Sequence, residues 1–501
     1  MNGDQDTQRV RIDYATKPMR TSRTSAEPPS ERNWAIALTA GALLLFAVAA
    51  VFTAPETSGP GELDRTGLTT LLVFAAAVVG WMSSRLDDTF VALTAAAALV
   101  VLGALDAEEL FEALGDDQVW LLVAAFVLAA GINRTGLPAR LAVALVGRAR
   151  SARGAIHLIT LGLLVTALLV PSTSGRAALV LPIFTALAEV FAARRRLVRA
   201  LAVLFPTIVL LSAVATLVGA GAHLITSQIL DATVDEGIDF GQWLLWGLPF
   251  AAISSHLAAE LVLLLFTKHS DRSAALHIDT ADLRARLSVP VRMQRAEVRA
   301  VTLLGAVVVL WSTESLHGLP PALVALGGAL LITSPRLGTV RIGKAIGEIP
   351  WSLLLFMAAT AALGTALTSS GAAEWLASLV LDTGSPMTLL ITVVVLSTAA
   401  HLVVQSRSAR SSVLIPLVVP AAVAVGMNPV ALAFASTTAA GFCHTMPSSA
   451  KPVAMFARLE QVSTYEPRDL LKLSAFLGPA IAALVVLFTL HGWPLLGLPL
   501  T

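Results

Sequence analysis

The chain alternates long apolar runs with short polar segments over most of its 501 residues. Many of these runs approach or exceed the ~20 residues that an α-helix needs to cross a bilayer. The runs lie at 34–54, 66–84, 88–105, 118–136, 154–170, 173–191, 200–218, 243–267, 298–313, 320–334, 350–370, 387–404, 411–426, 429–446 and 471–491. This pattern predicts an all-α polytopic membrane protein.

The charges between the runs predict which loops face the cytoplasm, because short cytoplasmic loops carry an excess of Lys and Arg. Basic clusters lie at 148–153, 194–199, 268–299, 336–344 and 458–472, whereas the segments at 106–117, 231–239, 314–319 and 371–386 contain acids and no Lys or Arg. The runs at 154–170 and 173–191 have basic clusters at both outer ends, and the runs at 387–404 and 411–426 have none. We therefore predict two re-entrant hairpins, one entering from each side, and about 11 transmembrane helices.

The same orientations divide the chain into two inverted repeats, because the run at 66 starts outside and the run at 298 starts inside. The predicted segments are a disordered cytoplasmic tail at 1–33, a first transmembrane helix and loop at 34–65, repeat 1 at 66–267, a cytoplasmic linker at 268–297, repeat 2 at 298–491 and an extracytoplasmic tail at 492–501. The amino terminus is then cytoplasmic and the carboxyl terminus lies outside. Inverted repeats with broken helices are typical of secondary transporters, whose substrate binds at the repeat interface.

Composition narrows the class of protein further. Hydrophobic residues make up 56% of the chain and charged residues 13%, which excludes an ordinary soluble domain and predicts a multi-pass protein of the cytoplasmic membrane, surrounded by the lipid bilayer. A formal net charge of +1 gives no indication of a nucleic-acid partner. Cys443 is the only cysteine in the sequence, so it cannot form an internal disulfide.

Two polar segments of nearly the same sequence stand at the tips of the predicted hairpins. "VPSTSGRAALVLP" begins at Val170 and "VQSRSARSSVLIP" begins at Val404. Both place an arginine, Arg176 or Arg410, at the same point of a Ser-x-Ser-small-Arg pattern. An arginine at membrane depth costs ~2.5–3.5 kcal/mol on insertion scales, so its repetition indicates a functional position.

The apolar run after each hairpin is interrupted by glycines or prolines, in "TLVGAGAHLI" and in "TMPSSAKPVAMF". The helix-break residues are Gly219, Gly221, Pro447 and Pro452. Such breaks free backbone groups that lipid cannot satisfy, so they are tolerated only where protein or a water-filled cavity covers them. Superposing "GAGAH" on "PSSAK" places His223 opposite Lys451.

Tips and breaks together predict an anion site. Fixed arginines, a lysine and a histidine cation suit carboxylate or sulfate, because a guanidinium fork donates two parallel hydrogen bonds to such oxygens. Hydroxyls and the free amides of helix ends would add neutral donors. The predicted substrate-binding residues are Ser172, Thr173, Ser174, Arg176, His223, Ser406, Arg407, Ser408, Arg410, Ser448, Ser449 and Lys451.

On these motifs, residues 66–491 resemble the divalent-anion/sodium symporters, which carry dicarboxylates, citrate or sulfate. In that family a Ser-Asn-Thr signature stands at each hairpin tip, a Leu-Pro step follows, and each broken span carries a Thr-Pro-Pro-Asn-like stretch. Here "STS" at 172–174 and "SRS" at 406–408 stand at the signatures, with "VLP" and "LIP" after them, and "GAGAH" and "SSAK" stand at the broken spans. The resemblance implies a homodimer formed by scaffold helices.

The differences from the family pattern concern the coupling ion. Thr173 and Arg407 replace the signature asparagines, and His223 and Lys451 stand at the later asparagines. In the relatives these tips and breaks coordinate sodium, so cations there are expected to repel sodium or to take its electrostatic place. We therefore predict a secondary active transporter of a small anion that uses fixed charges instead of sodium, or an exchanger. No cofactor or metal site is predicted, and sodium is left open as a coupling ion.

Other interpretations of these residues stay open at this stage. The tip hydroxyls could serve only close helix packing, and Arg176 and Arg410 could form structural ion pairs with Glu189 or Glu260. His223 could be a neutral core histidine. A sodium-coupled symporter and an anion channel are the alternative functions. An enzyme is not expected, because the sequence has no HExxH pair and no GxSxG elbow.

Overall fold

The computed structural model describes residues 63–82, 86–276, 278–380, 385–457, 459, 462 and 464–501. The predicted tail at 1–33 and the predicted first transmembrane helix at 34–54 lie outside the described residues. Everything that follows concerns the described ranges.

The first half of the described chain is a succession of helices that ends in one long helix. Its helices are α1 (Arg65–Met82), α2 (Asp88–Val101), α3 (Ala107–Glu112), α4 (Asp117–Asn133), α5 (Leu137–Val146), α6 (Ala152–Leu169), α7 (Thr173–Val190), α8 (Arg195–Leu211), α9 (Gly221–Val234) and α10 (Phe240–Phe266). Two short helices, α11 (His269–Ser273) and α12 (Thr280–Arg286), follow in the predicted linker.

The second half presents the same succession again. Its helices are α13 (Arg295–Ser312), α14 (Glu314–His317), α15 (Pro321–Thr333), α16 (Ile342–Ile346), α17 (Trp351–Ser369), α18 (Ala372–Val380), α19 (Pro386–Ala399), α20 (Arg407–Ala424), α21 (Pro429–Ala439), α22 (Lys451–Ala457) and α23 (Pro467–Leu487). Every apolar run predicted from position 66 onward contains one of these helices. The polytopic all-α prediction is therefore confirmed.

The number of membrane crossings stays a prediction. Eight helices within the described ranges are long and apolar enough to cross a membrane, and several other runs form shorter helices. Sequence analysis did not predict α5 and α18, the short helices that precede α6 and α19. With ten and nine residues they are too short to be recognised as spans.

Helices of one half pack against helices of the other half, and the equivalent helices make the reciprocal contacts. Helix α4 packs against α15, and its counterpart α17 packs against α2. In the same way α9 packs against α20, while α22 packs against α7. Each half thus supplies helices to the core of the other, which brings the segments after α6 and α19 close to the breaks of the opposite half. The inversion of one half relative to the other across a membrane stays a prediction.

Both predicted breaks interrupt regular helix. After α8 the chain forms two short 3-10 turns, Ser212–Ala215 and Leu217–Gly219, with Thr216 and Ala220 in extended conformations. After α21 the residues up to 450 are irregular until α22 begins at Lys451. The freed backbone groups lie beside a polar cavity, as such breaks require in a membrane.

Candidate functional site

A cavity of about 460 Å³ lies where the two tips meet the two breaks. Most of the predicted site residues line it: Ser172, Thr173, Ser174, Gly221, Ser406, Arg407, Ser408, Arg410, Ser448, Lys451 and Pro452. Segments more than 200 residues apart in the chain therefore form one polar chamber.

The first serine of each motif starts the helix that leaves the tip. Ser172 Oγ accepts a hydrogen bond from the backbone N–H of Gly175 at 3.2 Å, and Ser406 Oγ accepts one from Ala409 at 3.3 Å. Serine is a preferred N-cap because its oxygen satisfies an otherwise free amide of the first turn. Helices α7 and α20 therefore begin at the cavity, as does α9 at Gly221. Three helix N-termini, each with partial positive charge, converge there.

Arg410 lines the cavity although only 1% of its surface is exposed. Its Nη1 donates to the carbonyl of Ala440 at 2.9 Å, and its Nε lies 3.4 Å from the carbonyl of Ser406. Its Nη2 has no hydrogen-bond partner among the described residues. A buried donor without a partner costs about 1–3 kcal/mol, so an acceptor in the cavity would remove a real penalty.

Arg407 also lines the cavity, and His223 positions it from behind. His223 Nδ1 lies 2.9 Å from the carbonyl of Thr216, which only an N–H can satisfy, and His223 Nε2 lies 3.1 Å from Arg407 Nη2. Since guanidinium has donors only, His223 Nε2 must be the acceptor and the ring is neutral. The guanidinium also reaches the carbonyl of Leu210 at 3.4 Å, while its Nε has no partner within the described part of the chain.

This geometry corrects the expectation that His223 supplies a cation. The imidazole is fully buried and stacks on Trp243 with ring centroids 4.8 Å apart. A neutral ring in that place fixes the direction of the Arg407 side chain and adds no charge to the cavity.

The structure also gives Arg176 a role different from the expected one. Its side chain is fully buried behind the first tip and donates four hydrogen bonds. Nε donates to Thr166 Oγ1 at 3.1 Å, Nη1 to Val209 O at 3.0 Å, and Nη2 to Leu163 O at 2.7 Å and Ser212 Oγ at 2.6 Å. These acceptors belong to α6, α8 and the first break, so Arg176 ties three elements together instead of facing a substrate.

Glu189 and Glu260, the acids considered as partners of Arg176 and Arg410, pair with other residues. Glu189 bonds Arg286, and Glu260 accepts from Arg153 and lies beside His157. Carbonyl and hydroxyl oxygens, not carboxylates, hold both arginines.

The remaining predicted residues lie at or near the second break. Lys451 and Ser448 are exposed and line the cavity. Ser449 is buried, and its Oγ accepts from the backbone N–H of Met446 at 3.0 Å, so it shapes the break. Pro447 lies within this turn, and Gly219 closes the last 3-10 turn of the first break.

Sequence analysis missed several polar residues of the cavity wall, among them two neighbouring acids. Asp87, Asp88 and Thr89 reach the cavity from the start of α2. Asp87 caps that helix by accepting from the N–H groups of Thr89 and Phe90 at 3.0 and 3.2 Å. The pair of acids before an apolar run signals a helix start, but nothing in the sequence indicates that this start lies beside both tips.

Cys443 lines the same cavity, and its geometry differs from that of a nucleophile–base pair. Its thiol donates to the carbonyl of Gly441 at 3.6 Å, while the imidazole of His444 accepts from the backbone N–H of Cys443. The thiol is therefore a cavity wall residue and a chemical probe of the site.

Gly219→Ala is expected to destabilise the protein. A Cβ at this position would lie 2.1 Å from the carbonyl oxygen of Ala213, so the turn cannot close around a methyl group. We expect a loss of about 1–3 kcal/mol, measured as a lower Tm in detergent. Gly305→Ala is the matched control, because a Cβ there meets nothing within 4 Å and alanine favours helix. Equal Tm values for both variants would contradict the tight turn.

The two Ser-x-Ser tips and the two helix breaks thus enclose one polar chamber among apolar helices, an arrangement typical of transporters. A family model described as "CitMHS: Citrate transporter" matches residues 78–439. The chain belongs to this citrate transporter family.

Individual relatives agree with this membership. A protein from Cupriavidus necator named "Membrane protein" is 27% identical over 264 residues, which are 52% of this chain and 51% of that protein, so the match spans about half the length of this relative. The sodium-dependent dicarboxylate transporter SdcS of Staphylococcus saprophyticus is 22% identical over 470 residues, covering 88% of this chain and 89% of SdcS. The putative malate transporter YflS of Bacillus subtilis is 28% identical over 134 residues, 26% of this chain and 28% of YflS.

Two solved structures have a similar fold. The YdaH transporter of Alcanivorax borkumensis superposes with a TM-score of 0.50 at 18% identity, covering 78% of this chain and 91% of YdaH. MtrF of Neisseria gonorrhoeae superposes with a TM-score of 0.57 at 14% identity, covering 91% of this chain and 99% of MtrF. Identities this low concern the fold alone. The predicted resemblance to the divalent-anion/sodium symporters is thus confirmed.

Proposed function

We propose that this protein is a secondary transporter of a small organic anion with two or three carboxylates, such as citrate or a dicarboxylate. One observation carries the proposal: Arg407, Arg410 and Lys451 line the same cavity on which three helix N-termini converge. Fixed cations and helix N-termini both favour a bound anion.

The two arginines provide the most specific part of the proposed site. Within the described part of the chain, Arg407 Nε and Arg410 Nη2 are buried and have no hydrogen-bond partner, so an occupant that reaches them would gain hydrogen bonds without breaking existing ones. Charge-assisted hydrogen bonds from guanidinium to carboxylate are about twice as strong as neutral ones. Ser172 and Ser406 still have their own hydroxyl protons to donate, since each accepts only a backbone N–H at its oxygen.

Size and wall chemistry fit a compact organic acid. A volume of about 460 Å³ is within the usual range of small-molecule sites. Trp81, Leu353 and Phe356 also line the cavity, and their apolar surface suits the carbon chain of a carboxylic acid. The relatives named for dicarboxylate and malate point to the same class of substrate. Sulfate, which has no carbon chain, is the less favoured substrate.

Fixed charges are proposed to replace the coupling cation. Arg407 and Lys451 occupy positions at which the resembling symporters have asparagine, and both line the cavity. Arg407, Arg410 and Lys451 outnumber Asp87 and Asp88, the acids of the same cavity, so an empty core would keep a net positive charge. Moving charge through the membrane potential costs ~2.3 kcal/mol per elementary charge per 100 mV. The loaded form should cross more readily, so exchange of one anion for another is the proposed mode, by alternating access of a core that carries both hairpins.

A sodium-coupled symporter is the second candidate. The similarity to the sodium-dependent transporter SdcS over 88% of this chain favours it. In that case backbone oxygens at the tips and breaks would complete the sodium sites.

The location in the cytoplasmic membrane, the orientation of the termini and the homodimer also belong to the proposal. An anion channel is the remote alternative, and saturable flux with counterflow would exclude it.

Uptake into proteoliposomes tests the function. Labelled citrate, succinate, malate and sulfate are offered in sodium-free choline buffer and in sodium buffer, each with and without unlabelled anion inside. We expect saturable, sodium-independent uptake of at least one organic acid, increased by internal anion. Strict dependence of uptake on sodium would favour the second candidate, the sodium-coupled symporter. If none of these anions is taken up, the proposal is overturned.

Cys443 offers a direct test of where the anion binds. As the only cysteine of the chain, it gives a single alkylation signal without mutagenesis. A small charged maleimide or methanethiosulfonate should label it through the cavity, and a saturating substrate should slow the labelling severalfold. If a non-transported cation slows the labelling of Cys443 as much as the substrate does, an anion site at this place is contradicted.

A further inference from the structure

A second cluster of titratable groups lies outside the cavity, between α6 and α10. His157 Nδ1 lies 2.8 Å from His256 Nδ1, and His157 Nε2 lies 2.6 Å from Glu260 Oε1. Arg153 Nε donates to the same carboxylate oxygen at 2.8 Å. The four side chains form a continuous hydrogen-bonded chain that joins the first arm of the first hairpin to a neighbouring long helix.

The number of protons on the histidine pair follows from these distances. His157 Nε2 carries a proton that it donates to the carboxylate, and one further proton must lie between the two Nδ1 atoms. With these two protons both rings are neutral, and His256 Nε2 is a free base. A third proton can occupy that nitrogen without breaking any contact, and Glu260 offsets the added charge. A fourth proton would place two N–H donors face to face at 2.8 Å, which breaks the contact.

The position of the pair connects it to hairpin movement. His157 is one turn from Arg153, near the start of α6, and His256 and Glu260 stand in the second half of α10. The side chains of His157 and Glu260 are 28% and 31% exposed, so both reach the surface of the protein. The linker is anchored beside them, since the N–H of Leu276 donates to the carbonyl of Arg150 at 3.0 Å.

Other charged groups on the packed helices have partners elsewhere. Arg140 pairs with Glu297, and Arg199 pairs with Asp469. Arg176 is saturated by its four acceptors. Asp271 lies 3.6 Å from Arg196, and Arg272 and Lys472 donate to the carbonyls of Thr267 and Leu265. Glu260 and Arg153 are therefore the charges that act directly on the pair.

We propose that His157 and His256 form a proton-binding site, separate from the anion cavity, that binds one proton with the α6–α10 contact intact and releases the hairpin arm when a second proton binds. Its effect on transport rests on the proposed function, but the binding of protons does not.

The test compares Tm against pH for the wild type and for His256→Gln, by tryptophan fluorescence of the full chain in detergent. The profiles are recorded from about pH 8 to pH 4.5, a range in which acid-side loss of stability can be followed. We expect the wild type to lose a few degrees more than His256→Gln on the acid side, because only the wild type acquires two opposed donors. His269→Gln, an exposed histidine in α11, is the control and should follow the wild type.

A second variant keeps the proposal falsifiable if His256→Gln folds poorly. Glu260→Gln removes the carboxylate that favours the protonated pair, so the acid limb should move to lower pH by about one unit. Superimposable profiles for the wild type and both variants would overturn the proton site, whatever the transport result. A protein that moves no anion could still show the acid-side loss of Tm in the wild type alone. This result would support the proton site and reject only the proposed function.

Discussion

Arg410→Ala is expected to abolish anion binding at any concentration that is practical for transport. Arg410 is 1% exposed and lines the cavity, and its Nη2 has no partner among the residues that the structure describes, so an anion that accepts from it gains a hydrogen bond in a desolvated place. Truncating one member of such a pair costs about 2–5 kcal/mol, which is roughly a 30-fold or greater loss of affinity. The measurement is the substrate-dependent rise of Tm, together with protection of Cys443 from alkylation.

The controls for Arg410 separate charge from geometry. Arg410→Lys keeps the charge but loses the planar fork that bonds Ala440 through one nitrogen and leaves another for a ligand, so it should recover only part of the affinity. Arg407→Ala should also weaken binding, while His223→Gln should act through Arg407 and leave the charge of the cavity unchanged. Wild-type affinity in both arginine variants would exclude the two-arginine site.

Much of the fold is predictable from the sequence because a bilayer imposes a simple length rule on apolar helices. Each run from 66 onward contains a helix, and both breaks fall where glycines or prolines interrupt a run. The convergence of tips and breaks on one cavity also agrees with the expectation from two repeats. Such features depend on local patterns and on the equivalence of the two halves.

The roles of individual arginines are not predictable in this way, because equivalent positions in a repeat need not have equivalent surroundings. Arg176 and Arg410 occupy the same place in their motifs, yet within the described ranges Arg176 has four acceptors and Arg410 Nη2 has none. The difference comes from neighbours distant in sequence. Val209 and Ser212 supply acceptors to the first arginine, and Arg407 takes a place beside the second.

Arg407 illustrates the same point from the other half. Its direction depends on His223, 184 residues earlier, and on room beside Gly441, where a Cβ would lie 3.0 Å from Arg407 Nη2. Asp88 and Cys443 likewise reach the cavity only through packing between helices from different halves. Contacts of this kind leave no periodic signal in one sequence.

Arg176→Ala is expected to damage the fold and to spare the binding site. The change leaves buried oxygens of Thr166, Val209 and Ser212 without the donor that now joins them, and it opens a space in the core behind the first tip. Unpaired buried polar groups cost about 1–3 kcal/mol each and a core cavity adds to that, so we expect a total loss on the order of 3–5 kcal/mol and a clearly lower Tm.

The control for Arg176 is Arg148→Ala. Arg148 is exposed, and among the contacts that the structure describes it bonds only the carbonyl of Ala144, one helical turn earlier. Its loss should change the free energy of unfolding by no more than about 0.5 kcal/mol. At a temperature where Arg176→Ala remains folded, its affinity for the transported anion should stay within about twofold of the wild type, because its guanidinium is directed into the protein. A wild-type Tm combined with lost affinity would reverse the assignment and place Arg176, together with Arg410, in direct contact with the anion.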